Sequence, residues 1–138
     1  MPKMPKAKGG DVRRLHSNKG PDLCERTFQF GVRITKMVRR LPRDMAGHEI
    51  GRQVLRSGTS VGANTEEADA AESTEDFLHK MKIALKEAQE TRFWLRNTRE
   101  SGLLVGKEVN DLLQECGELI KIINAIITNT TRKMNDDK

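Results

Sequence analysis

The run STEDFLHKMKIALKEAQETRFWL, Ser73–Leu95, decides the fold class. Ser73 followed by Thr74, Glu75 and Asp76 is a helix N-cap with acids in the first turn, where they meet the positive end of the helix dipole. Apolar or small residues then return at Phe77, Met81, Ala84, Ala88, Thr91 and Leu95, flanked by Leu78 and Leu85. Steps of four and three keep to one face of a 3.6-residue helix. The first helix breaker downstream is Gly102, which fits a left-handed C-terminal cap.

The preceding segment, Asp44 to about Glu72, has the same period in Ile50, Val54, Ser57, Val61, Asn64, Ala68 and Ala71. Gly51, Gly58 and Gly62 interrupt it. A glycine inside a helix costs about 1 kcal/mol relative to Ala, so close approach of a neighbouring helix is the expected compensation. A tight turn near residues 72–73 makes the two helices an antiparallel hairpin, in which the numbers of level residues sum to about 145. On that register Gly58 is expected opposite Ala88 and Gly62 opposite Ala84, one small-residue face on another. The same register sets Arg56 near Glu87 and Glu90, and Arg52 near Trp94 for a stacking contact. Ser57 and Asn64 require polar partners within the seam. Arg56, Asn64 and Glu67 read first as structural residues.

Two more helices flank the hairpin. The first begins at Asp22, where Asp22 and Glu25 form an Asp-x-x-Glu capping pattern, and its stripe is Leu23, Thr27, Phe30, Ile34, Met37 and Leu41. Pro42 ends it by lacking an N–H and pushing Leu41 out of the α region. The fourth runs from about Lys107 to Thr128, with a stripe of Val109, Leu112, Leu113, Cys116, Leu119, Ile120, Ile123, Ile126 and Ile127. The resulting expectation is an all-α, antiparallel up-down-up-down four-helix bundle over residues 22–128. Residues 1–20, rich in Lys, Pro and Gly, are expected to be a disordered basic arm, and 129–138 a frayed polar tail.

The chain has 138 residues, the size of one domain, with 36% hydrophobic and 33% charged residues and no Tyr. No apolar run approaches a membrane span, and the N-terminus lacks the apolar core of a secretory signal, so a cytoplasmic protein is expected. Charge is uneven. Met1–Arg43 holds twelve Lys/Arg against three acids, a net of +9, while the remainder holds thirteen against seventeen, a net of −4. A basic segment on a mildly acidic body suits a polyanion, although a solvated, solubilising arm has the same composition. Cys24 and Cys116 have no metal spacing. They fall about 15 Å apart along the bundle at 1.5 Å per residue, too far for a disulfide, so two free thiols are expected. His16, His48 and His79 do not assemble a second carboxylate–histidine pair for a di-metal bundle. No phosphate loop, nucleophile elbow or Cys/His pair is present. The reading is no enzyme, no metal and no cofactor.

The segment Arg56–Ala68, RSGTSVGANTEEA, is distinctive in combination with Leu41-Pro42, Gln53, Asp76-Phe77 and IALKEAQETRFWL at Ile83–Leu95. It resembles the four-helix-bundle family of bacterial proteins encoded in intervening sequences of 23S ribosomal RNA genes, over about residues 22–128. Thr65 stands where that family usually has an aliphatic residue, and the basic arm is an addition. The resemblance implies an up-down bundle without catalytic activity. A more distant similarity, to the accessory variability protein of diversity-generating retroelements, implies a homopentamer that binds nucleic acid and a polymerase-like protein through basic surface.

The residues themselves support two functions. Arg26, Arg33 and Arg40 recur every seven residues along one flank of the first helix, and Lys36, Arg43 and Arg52 extend the patch. Such a stripe makes salt-dependent, sequence-tolerant contacts with the phosphates of RNA or DNA. Alternatively, Ile122, Phe93 and Trp94 widen the apolar arcs beyond a single seam, as expected of a self-associating protein or of a scaffold that binds a partner without nucleic acid.

Overall fold

The computed structural model describes Leu15 and residues 22–137. It holds four helices: α1 (Leu23–Val38), α2 (Met45–Asp69), α3 (Thr74–Glu100) and α4 (Lys107–Asp136). Three begin where a side chain can satisfy the free N–H groups of the first turn. Asp22 accepts from Glu25 N, Asp44 from Gly47 N and Ser73 from Asp76 N, at 2.7–3.0 Å. α3 gives way to a turn in which Gly102 takes φ +78°, the left-handed conformation that favours glycine. Connections this short make sequential helices antiparallel, and each helix packs only on its neighbours around the bundle. The α1–α4 seam is the thinnest of the four.

The core is the expected stripes, with Phe30, Ile34, Met37, Val54, Val61, Phe77, Met81, Leu95, Leu112, Leu119 and Ile123 essentially inaccessible. The hairpin register holds at the polar positions. The Ser57 and Thr91 hydroxyls share a hydrogen bond of 2.9 Å across the α2–α3 seam, and Thr91 Oγ1 also lies 2.7 Å from its own helix's Glu87 carbonyl. Lys80 Nζ reaches Glu67 Oε1 at 2.8 Å.

The glycine contacts differ from expectation. A Cβ at Gly58 would lie 2.9 Å from both Cγ atoms of Ile34, and one at Gly62 would lie 3.1 Å from the Thr27 carbonyl oxygen. Both neighbours belong to α1, so the small face of α2 meets α1 rather than Ala84 and Ala88. The register sum fixes which residues are level, not which way they point. Gly58 is about 100° around the helix from Ser57, and Ser57 is the residue that faces α3. Ala84 and Ala88 are nonetheless fully buried, and Cys116 Sγ donates to the Ala88 carbonyl at 3.2 Å. Asn64 also departs from the seam. It is half-buried and donates to Ser60 O of its own helix at 2.9 Å, while Thr65 takes the buried position.

Three boundaries differ. α1 ends at Val38 rather than at Leu41. α2 ends at Asp69 rather than Glu72, and α4 continues to Asp136 instead of fraying after Thr128. The extension follows the packing: Thr130 is buried and Met134 leans on the core. Of the N-terminal arm, only Leu15 is among the described residues. It is buried, and its carbonyl accepts from Leu23 N at 2.6 Å. The rest of residues 1–20 lies outside the described residues.

Candidate nucleic-acid interface

The basic flank of α1 divides into two halves with different fates. Arg26 faces α4, where Nε and Nη2 grip Glu115 at 2.7 and 2.8 Å and Nη2 also reaches Glu118 at 2.9 Å. Arg33, two turns on, reaches Glu108 at 3.4 Å. The hydrogen bond to Glu115 holds the Arg26 guanidinium still more firmly in its charged form. Arg26 and Arg33, two members of the heptad row, therefore close the thin α1–α4 seam with ion pairs. Glu108, Glu115 and Glu118 are the residues that sequence reasoning left out, and their spacing of seven and three on α4 is the signal that matched Arg26 and Arg33. These two arginines are poor candidates for phosphate contact.

The other half is different. Lys36, Arg40 and Arg43 are exposed and make no ion pair among the described residues. Arg39, absent from the expected set, joins them. From Lys36 to Arg43 the chain has four cations and no acid. Arg52 has only a long pair to Glu49, 3.6 Å, with both side chains largely in solvent. It forms no cation–π pair with Trp94, whose indole Nε1 donates to Glu90 Oε2 at 3.0 Å.

Local chemistry pins this basic end. Pro42 stops α1, Leu41 turns into the core and Asp44 caps α2. Gly47 lies so close to the Pro42 carbonyl that a Cβ there would sit 1.9 Å from its oxygen. Only glycine permits that approach, so the Arg39–Asp44 turn is clamped on the first turn of α2 and its arginines project from a fixed base.

Arg56 sits elsewhere, bridging α2 to α3. Nη1 reaches Glu87 Oε1 at 3.3 Å and Nη2 pairs with Glu90. The Trp94 N–H, then Arg56, hold the Glu90 carboxyl below its ordinary range. This Arg56–Glu90–Trp94 chain ties the hairpin together. Both cysteines are free and buried, and burial foremost pushes each thiol up to about 12. Among the described residues no group of His, Cys, Asp or Glu is placed to hold a metal ion, and no helix is long and apolar enough to cross a membrane.

Exposed apolar surface lies on the flanks. Phe28 and Phe93 are each more than half exposed, and Phe93 stacks edge-on against Trp94 with centroids 4.8 Å apart. Ile122, by contrast, is partly buried against the core. Beside Phe28, the small residues Gly31, Thr59 and Ala63 leave a mostly apolar groove of about 330 Å³ between α1 and α2.

The family model described as 23S rRNA-intervening sequence protein matches residues 21–125, which span all of α1–α3 and most of α4. The chain belongs to this family. A solved structure from the S23 ribosomal protein family of Bacteroides thetaiotaomicron, described as a protein with unknown function, is 34% identical with a TM-score of 0.71. The alignment covers 76% of this chain and 97% of that one. No curated protein matches the sequence. The family match spans the RSGTSVGANTEEA segment and the Arg56–Glu90–Trp94 chain, so what is shared includes the hairpin.

Proposed function

We propose that this member of the 23S rRNA-intervening sequence protein family is a non-catalytic, self-associating cytoplasmic bundle that binds RNA or DNA through phosphate contacts from the α1–α2 end. The observation that carries the reading is the solvent-exposed run Lys36, Arg39, Arg40 and Arg43, with no acid between them, the first in the last turn of α1 and the arginines on the clamped turn. Arg52 stands at its edge. Arg26 and Arg33 are assigned to the bundle instead, because carboxylates of α4 already neutralise them. The non-catalytic reading is supported by thiols held at about 12, which leaves no thiolate nucleophile near neutral pH. Repetition of the cluster in a homo-oligomer, a pentamer by family resemblance, would add avidity to weak individual contacts.

The test is a mobility-shift titration of the full chain on a duplex across salt concentrations. Four free cations predict a log–log salt slope of roughly −3 to −4, at about −0.9 per phosphate. Charge reversal by Arg40→Glu with Arg43→Glu should abolish the shift. Arg26→Gln should leave the slope unchanged. Absence of binding at low salt refutes the reading.

A second reading is favoured by exposed Phe28 and Phe93 and the groove beside Phe28. Here the bundle is a scaffold for a protein partner, polymerase-like by resemblance, and nucleic acid plays no part. The same charge reversal separates the two, since an apolar partner contact survives it. Light scattering on the purified chain measures the assembly.

A further inference from the structure

The basic end is more than a convex patch. A cavity of about 450 Å³ opens there, between the α1–α2 turn and the first turns of α2. Arg39, Arg43, His48 and Arg52 line it, and among the described residues no carboxylate does. Asp44 and Glu49, the acids adjacent in sequence to lining residues, are outside the lining; Asp44 accepts from Gly47 N, and Glu49 reaches Arg52 at 3.6 Å. The rest of the lining is mainly apolar, with Leu41 and Leu55 prominent. The volume falls within the roughly 300–1,000 Å³ of small-molecule sites, which combine an apolar lining with a few convergent polar groups.

We propose that this cavity binds a phosphate monoester carried on a planar ring, that is, a nucleoside monophosphate unit. Arg39 and Arg43 bring two guanidinium groups with no ion pair among the described residues, and Arg52, only loosely paired with Glu49 at 3.6 Å, adds a third, so the cavity attracts an anion. A monoester carries close to two charges near neutral pH and offers three oxygens to planar guanidinium forks. A backbone phosphodiester carries one charge and is flanked on both sides by chain, so it suits the open rim better than the cavity. Guanidinium planes and aliphatic side chains accept the face of a base. The unit has two sources, a free nucleotide or the phosphorylated end of a strand. The strand source rests on the nucleic-acid reading above, whereas the free-nucleotide source does not.

The experiment uses the full chain and one short RNA in three forms: 5′-phosphate, 3′-phosphate and unphosphorylated. AMP, adenosine and inorganic phosphate serve as competitors and as direct ligands in equilibrium dialysis. A terminal monoester should tighten strand binding about tenfold over the unphosphorylated form, as expected for one added charge-assisted contact set. AMP should bind and compete, while adenosine and inorganic phosphate should do so far more weakly. Arg43→Gln and, separately, Arg39→Gln should each remove the monoester preference and AMP binding. Both residues are exposed, and retained helicity in circular dichroism certifies the variants. AMP binding without any strand binding supports the cavity and refutes the nucleic-acid reading. Strand binding indifferent to its end groups, with no AMP binding, overturns the cavity assignment and leaves that reading intact. Inorganic phosphate binding as well as AMP overturns the nucleotide assignment.

Discussion

Replacing Gly58 by Ala tests the α1–α2 seam directly. The new methyl would lie 2.9 Å from Cγ1 and Cγ2 of Ile34 and 3.2 Å from its Cβ. Ile34 cannot swing away, because it is fully buried and β-branched, which leaves essentially one χ1 rotamer in a helix. Overpacking of this kind costs typically 1–3 kcal/mol, against a helix-propensity gain of about 1 kcal/mol. The expected net loss is about 0–2 kcal/mol, or up to roughly 8 °C in melting temperature at ~4 °C per kcal/mol. Gly117→Ala is the internal reference. Gly117 is interior to α4 and a Cβ there meets nothing within 4 Å, so this variant should gain about 0.5–1 kcal/mol. Urea unfolding followed by circular dichroism measures both. In an Ile34→Ala background, itself costing about 2–5 kcal/mol, the Gly58→Ala effect should reverse sign because the methyl enters vacated space. Equal stabilisation by Gly58→Ala and Gly117→Ala, or an unchanged effect in the Ile34→Ala background, would refute the close approach of α1 and α2.

Three further outcomes are expected. Arg26→Ala should cost about 1–2 kcal/mol in urea unfolding, since it strands the mostly buried Glu115 carboxylate, and a double-mutant cycle with Glu115→Ala should recover part of the loss. Thr130→Val should stabilise by about 1 kcal/mol, because the buried Thr130 Oγ1 has no hydrogen-bond partner among the described residues and a methyl of the same shape needs none; a lower urea midpoint would contradict this. Glu90 titrates below its ordinary range when folded, so its contribution is present above the unfolded value near 4.3 and is lost as pH falls through the lower folded value. Glu90→Gln should therefore cost up to about 1 kcal/mol at neutral pH, a cost that shrinks as pH falls through the lowered folded value; a deficit that does not shrink in acid would contradict the assignment.

Several features were legible in the chain because they are local. Asp22, Asp44 and Ser73 announce three helix starts through cap chemistry, and Pro42 and Gly102 announce two ends. The hairpin register followed from turn length, and with it the level of Arg56 with Glu87 and Glu90. The end of α4 was misread because Thr130 and Met134 count as polar-tail residues by composition, yet they continue the buried stripe of Ile126 and Ile127. Nothing between Asn129 and Asp136 breaks a helix, so periodicity was the better guide there.

The site was less legible. Helical spacing aligned Arg26, Arg33 and Arg40 as one stripe, but whether a cation is free depends on what another helix sets beside it. α4 sets Glu108, Glu115 and Glu118 against the first two, and Arg40, nearest the turn, has no ion pair among the described residues. The amino-acid sequence by itself determined four amphipathic helices, their order and their axial register, since these depend on neighbours three to four residues apart and on loop lengths. Tertiary structure alone decided the rotation of each helix about its axis. That rotation turned the glycines of α2 toward Ile34 and Thr27 and set α4 carboxylates against two of the three arginines of the stripe, because side chains distant in sequence meet only when the rods are packed, while the α1–α2 turn gathers Arg39, Arg43, His48 and Arg52 around one cavity.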